Sequence, residues 1–409
     1  MKRILVFIAC LLLLPEWASG GDSSRVAIRG LWIIRHQMTR PERIDRFLET
    51  AYRLGFTDLF VQVRGRGDAY YDSRFEPRAD VLAPDFDPLD YLLRHPLRAH
   101  FRIHAWVNAF YIWSKPQQPE PENHLANQRR DWLARPYQFA NAEAFAQPDR
   151  FRAREGFYVS PRLPEVQRHL QNVIEDILSR YAVDGIHLDY IRYPGPDFDF
   201  HPDLRRLFRM RYVIDPLEFK QAPDRFQQKY TRSGYEFYLF SWAKFLRDGL
   251  SDFVKRLSQR IRDRYPQRQL TAAVKPDLAR AHWEFYQHWD RWVNEGWLDF
   301  VLPMNYTPAN SEFVQRIRIM LREVHPEELV MGISLYNQSP EQVIQKIRLV
   351  EEIGLKGYTL FSFDQIEENP LLERMLERYL SRGDSVLRPT GTFMLPGKMH
   401  ASPTRNHQD

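Results

Sequence analysis

Short apolar runs, each followed by a longer amphipathic stretch, recur eight times along this chain, and that alternation limits the fold more than any other feature. The runs are Ile28–Ile34, Asp58–Val63, Ile103–Asn108, Asp184–Asp189, Leu270–Val274, Asp299–Met304, Leu329–Leu335 and Gly357–Phe361. They are rich in Val, Ile, Leu and Phe, too short for helices, and read as parallel strands buried on both faces. Helical spacing of apolar residues predicts helices over Pro41–Leu54 (capped by Thr39 and stopped at Gly55), Glu165–Tyr181, Tyr235–Arg264, Ser311–Glu323 and Pro340–Ile353, the last closed by Gly354. Strand then helix, repeated about eight times, predicts an α/β protein with a closed (β/α)8 TIM barrel. The alternative is an open doubly wound sheet, but no Gly-x-Gly-x-x-Gly turn follows the first run, which weakens a dinucleotide-binding version.

The 409 residues suit one such barrel with insertions. Two long connections, Ile112–Arg162 and Pro194–Ser233, follow the third and fourth strands. They would lie on the face where barrel enzymes build their sites, and are expected to act as lids or cleft walls. At the start, Lys2 and Arg3 precede the apolar run Ile4–Leu14, Pro15 and the small residues Ala18-Ser19-Gly20. This is the order of a secretory signal with cleavage after Gly20, and the run is shorter than the ~20 residues of a membrane span. Cys10, the single cysteine, sits inside that run and not at a lipobox end. The expected organisation is a signal peptide over 1–20, a barrel over 21–381 and a disordered tail over 382–409. The mature protein would be exported, periplasmic or extracellular, without a membrane anchor. A net charge of +5 is dispersed over the chain with no long Lys/Arg run, so a nucleic-acid partner is not expected. The sequence does not fix an oligomeric state. The chain has 10 Trp, 20 Tyr and 27 Phe; most are expected to pack in the core, and some would suit the apolar faces of sugar rings.

Chemistry concentrates at Val183-Asp184-Gly185-Ile186-His187-Leu188-Asp189-Tyr190-Ile191-Arg192-Tyr193-Pro194. A carboxylate at the C-terminal end of a barrel strand faces the active-site mouth, which singles out Asp189 as nucleophile, general base or ion-pair partner of Arg192. Asp184, at the other end of the strand, reads as structural.

In this context the chain resembles the glycosyl hydrolase-like 10 family of secreted bacterial barrel proteins. The resemblance runs from about Ile28 to Arg378 and rests on several blocks in order. They are Arg29-Gly30-Leu31-Trp32, the segment from Phe60 to Tyr71, His104-Ala105-Trp106-Val107-Asn108, Pro164-Glu165-Val166 leading into the Asp189 strand, Met304-Asn305-Tyr306 and Phe361-Ser362-Phe363. The resemblance implies a glycoside hydrolase, and some members are implicated in cutting peptidoglycan glycan strands, including strands stripped of peptides. Many relatives carry two adjacent acids at the fourth strand end, whereas the second position here is Tyr190.

Glycoside hydrolysis usually needs two carboxyl groups flanking the bond. Asp68, in the Gly-rich loop after the second strand, is the leading partner for Asp189; Asp72, Asp277 and Asp364 are others. By the same strand-end logic Arg64, Trp106, Asn108, Tyr190, Arg192, Lys275, Asn305 and Tyr306 are candidate substrate contacts. His187, two residues before Asp189, would sit beneath the acid. No cofactor or metal is expected: His100 and His104 lie at the start of a strand, away from the mouth, and no His-Glu-x-x-His or Gly-x-Ser-x-Gly appears. The reading is a secreted glycoside hydrolase acting on a bacterial polysaccharide or oligosaccharide. The alternatives are a non-catalytic carbohydrate-binding barrel and a metal-dependent polysaccharide deacetylase.

Overall fold

A computed structural model of the chain describes residues 26–381. The signal peptide and tail expected from sequence lie outside the described residues. Eight parallel strands run β1 Ile28–Ile33, β2 Asp58–Arg64, β3 Arg102–Asn108, β4 Gly185–Asp189, β5 Gln269–Val274, β6 Phe300–Pro303, β7 Val330–Ser334 and β8 Gly357–Phe361. Each strand pairs with its sequence neighbours, and β1 pairs with β8. Between β6 and β7 only the bridges Val301–Leu329 and Met304–Gly332 form, so the TIM barrel is nearly closed.

The two faces of each strand bury different things. Outward residues such as Leu31, Val61, Val107, Leu188, Val301 and Ile333 pack with the surrounding helices in the large outer core. Inward residues form a smaller core of Ile28, Trp32, Phe60, Trp106, Phe300 and Leu302 inside the barrel. The N-terminal end of this interior is closed by ions: Asp58 accepts from Arg102 Nε and Nη2, both at 2.7 Å, and faces His104 Nε2 at 3.0 Å. His104 thus belongs to the floor of the barrel, while the ring of His100 lies against Tyr52, 4.5 Å between centroids.

The expected helices form at Pro41–Arg53, Pro164–Arg180, Asn310–Met320 and Pro340–Ile353. Thr39 does not cap the first; its hydroxyl donates to the His36 carbonyl instead. The helix placed at Tyr235–Arg264 extends back to Pro223, with a break at Thr231. Both long connections are built structures. The first holds a short antiparallel pair, Tyr111–Trp113 with Phe157–Tyr158, and the second holds helices Pro202–Tyr212 and Pro216–Gln221. No helix among the described residues is long and apolar enough to cross a membrane.

Candidate active site

Asp189 is the last residue of β4 and the top of an inward column that begins with Gly185 and His187. The register sets these against His104, Trp106 and Asn108 of β3. His187 is fully buried, and its Nε2 accepts from Trp32 Nε1 at 3.2 Å. Its Nδ1 side, 3.0 Å from Thr271 Oγ1, therefore carries the proton. Burial holds this imidazole well below its ordinary pKa, so it is a neutral layer under the acid and does not reach the mouth.

The Asp189 carboxyl is buried, and its hydrogen bond is to the backbone amide of Tyr190, 2.7 Å from Oδ1. Burial raises its pKa from 3.8 to about 6; the Tyr190 amide, Arg192 and Lys275 oppose that rise and Glu155 adds to it. Tyr190 adopts φ 51°, a left-handed conformation uncommon for a bulky side chain. Its ring stacks on Tyr111 at 4.7 Å between centroids and 21° between planes. The first long connection therefore folds back over the end of β4.

That connection also delivers Glu155. Arg192 Nη2 donates to both Glu155 oxygens, at 3.1 and 2.8 Å, and the Tyr158 hydroxyl donates to Oε2. Burial pushes the Glu155 carboxyl up, but Arg192 and Tyr158 outweigh it and hold the group below its ordinary value. The next residue, Gly156, has φ +139°, and a Cβ there would stand 2.1 Å from the Trp113 carbonyl, so glycine is required for the turn that presents Glu155. Arg192 itself is nearly enclosed by aromatic rings, 4.8 Å from Tyr190 and 5.0 Å from Phe285.

Lys275 continues the inward series Thr271–Ala273 one step past β5. Its ammonium lies 4.5 Å from the Phe285 ring centroid. Burial, then Arg192, lowers its pKa to about 8 against the pull of Glu155 and Asp189. Tyr306, past β6, stacks on Phe361 at 5.4 Å and feels the charge of Asp189. The mouth thus brings together Asp189, Tyr190, Arg192, Lys275 and Tyr306 from the sequence expectations. It adds Glu155, Tyr111 and Tyr158, which sequence reasoning missed.

Other expected contacts are taken up inside the fold. Arg64 is buried against Glu76, 2.7 Å from Nη2 to Oε1, and donates to the Asn108 carbonyl. The β2–β3 register shifts between Gln62 and Arg64, so Arg64 pairs with the outward residue Val107 and leaves the inward face. Asn108 accepts from Trp106 Nε1 at 2.8 Å and donates to the Gly65 carbonyl at 2.7 Å, which makes it a buried brace between β3 and the β2 loop. Trp106 is part of the inner core. Asn305 is buried, donating to the Phe313 carbonyl at 3.0 Å and accepting from Arg316. Asp68 lines a separate hollow with Arg66, Trp113 and His124, and its Oδ1 accepts from the Arg66 amide at 2.6 Å. Asp72 pairs with Arg180, Asp277 caps the helix Leu278–Trp283, and Asp364 is held by His36, Gln37 and Ser362.

A parallel eight-stranded barrel with its titratable groups at the C-terminal mouth defines the chain as a TIM-barrel protein, and solved structures share that fold. The glycoside hydrolase domain of PgaB (BpsB) from Bordetella bronchiseptica aligns over 85% of this chain and 98% of that one, with TM-score 0.59 and 13% identity. The catalytic domain of a β-amylase from Paenibacillus polymyxa aligns over 88% and 100%, with TM-score 0.57 and 12% identity. At these identities the likeness speaks for the fold alone.

The chain belongs to the Glycosyl hydrolase-like 10 family, whose pattern matches residues 27–347. Among curated relatives, glycosyl hydrolase YngK of Bacillus subtilis (strain 168) is 23% identical over 366 residues, 80% of this chain and 64% of that protein. Glycosyl hydrolase DigH of Escherichia coli (strain K12) is 24% identical over 309 residues, 67% of this chain and 60% of that protein. The chain spans less than two thirds of the length of either relative.

Proposed function

We propose that this chain is an exported glycoside hydrolase that cleaves a bacterial polysaccharide, peptidoglycan glycan strands being the first candidate, with Asp189 as general acid. One observation carries the reading. A buried carboxyl with a raised pKa and an arginine-held carboxylate with a lowered one stand within each other's electrostatic reach at the barrel mouth. Two carboxyls driven apart in pKa are what acid-assisted glycoside cleavage requires. Protonated Asp189 donates its proton to the leaving glycosidic oxygen. Ionised Glu155 supplies the electron pair at the anomeric carbon, either directly or by deprotonating a water. Strand-end reasoning made Asp189 the nucleophile or stabiliser and Asp68 the acid; here the roles are exchanged, with Asp189 as the acid and Glu155 as the second carboxyl, Asp68 not being among the charges acting most strongly on Asp189. Tyr111, Tyr190 and Tyr306 offer ring faces to sugars, and Lys275 offers a cation to an acidic substituent.

A binding-only protein is the second reading, favoured by Tyr190 standing where many relatives have a second acid. Mass spectrometry of digests separates the two. The folded protein and Asp189→Asn are incubated with peptide-free glycan strands and a panel of other polysaccharides. New oligosaccharides from the unaltered protein alone support the hydrolase. Retained glycan binding with no new products from either protein overturns it in favour of the binder.

A further inference from the structure

The connection after β5 carries a second cluster of chemically capable side chains. His282 is the next-to-last residue of the helix Leu278–Trp283, His288 precedes the helix Trp289–Asn294, and Asp290 is the second residue of that helix. The turn between them passes through Tyr286 at φ 51°, which folds the two histidines face to edge with ring centroids 4.6 Å apart. His282 Nε2 lies 2.6 Å from Asp290 Oδ1, and His288 Nε2 lies 3.9 Å from Oδ2. One ligand atom from each of the three residues falls within 4.8 Å of the others. All three side chains are between 14% and 25% exposed, shielded yet reachable. His288 Nδ1 is buried and has no hydrogen-bond partner.

We propose that His282, His288 and Asp290 bind a borderline divalent transition-metal ion of the Zn²⁺ class. Two imidazole nitrogens and one carboxylate oxygen are a donor set such ions favour, with a fourth position left to water. Tetrahedral ligand atoms about 2.0–2.1 Å from the metal lie roughly 3.3 Å apart, so side-chain shifts of about 1 Å or less would close the cluster around an ion. Arg247 and Arg291 face the same cluster and oppose a cation there, so the affinity expected is moderate.

The site's value would lie in what its loop holds. Gln287 accepts from the Lys275 amide at 2.9 Å and donates to the Ile191 carbonyl at 3.3 Å. The Tyr193 amide donates to the Phe285 carbonyl at 3.1 Å, and Trp289 Nε1 donates to the Lys275 carbonyl at 3.0 Å. An ion at His282–Asp290 would therefore clamp the segment that fixes Lys275 and the Ile191–Tyr193 stretch behind Asp189.

The test uses the untagged chain, stripped with chelator and dialysed, and does not depend on glycan cleavage. Zn²⁺ is titrated by calorimetry, and Co²⁺ is followed by its visible absorption. Saturable one-to-one binding with a higher melting temperature is expected. Asp290→Asn, nearly isosteric and checked for folding by circular dichroism, should weaken binding at least about tenfold, and His288→Ala likewise. His100→Ala should leave it unchanged. Absence of saturable binding up to roughly 1 mM Zn²⁺, or equal binding by Asp290→Asn and the unaltered chain, overturns the proposal.

Discussion

Asp58 and Asp189 are both buried aspartates on the inner face of one barrel, at opposite ends of it. At the floor, Asp58 accepts from Arg102, His104 and Thr57. Burial pushes its pKa up, but these partners prevail and hold it below the ordinary value. At the mouth, Asp189 has one backbone amide and two cations that touch it only through space, and burial prevails. Two buried aspartates thus become opposite acids, and the number of direct partners decides which. The paired one can only stabilise. The underpaired one costs stability once it ionises at neutral pH, and below about pH 6 keeps a proton that can be given away.

The largest effect expected from breaking this contrast is catalytic. Asp189→Asn should lower glycan cleavage by roughly 10²–10⁴-fold, measured as reducing ends released, with the fold intact by circular dichroism. Asp58→Asn should do the reverse. It strands Arg102 and His104 and should cost about 3 kcal/mol in denaturant unfolding, the low end for a broken buried pair because Arg102 is half exposed. Activity should persist wherever that variant is folded.

Third, the two variants should differ in how stability follows pH. The raised Asp189 pKa means the folded state binds its proton more tightly than the unfolded state. Its cost is absent below about pH 4, grows as pH rises, and is complete above about 6, where it reaches at most about 3 kcal/mol. Asp189→Asn should therefore match or exceed the unaltered protein in melting temperature at pH 7 and lose that advantage near pH 4. Asp58 has the opposite sign: its lowered pKa adds stability above the ordinary carboxylate range, which is lost as pH falls.

The smallest effect is a shift in the pH profile. Activity should decline as pH rises through about 6, when Asp189 loses its proton. Lys275→Met removes a positive charge that lowers the Asp189 pKa, so the alkaline limb of kcat/KM should move to higher pH. An unmoved limb would separate Lys275 from the acid.

How much of this was readable from sequence followed the regularity of the backbone. The eight strands are buried on both faces, and their apolar runs place them within a residue or two. The column Gly185–His187–Asp189 and the series Thr271–Ala273–Lys275 follow from the two-residue period. Arg64 broke that rule because the shift after Gln62 turns its side chain outward, a change no period reveals. Asn108 faces inward as expected, but Trp106 and Gly65 use both ends of its amide. Glu155 lay out of reach because it stands in an irregular loop and meets Arg192 across 37 residues. The helices of the second long connection were missed because residues 202–230 are dense in charge and lack a broad apolar stripe.

Asp189 should hold a proton at a pH where Asp58 does not, and carbon-13 NMR titration of the aspartate carboxyl groups, assigned with Asp189→Asn, measures this directly. Asp189 should titrate near pH 6, with Asp58 still ionised below the ordinary carboxylate range. An Asp189 signal titrating near 3.8 would contradict the account, because the mouth would then hold two ionised carboxylates and no acid.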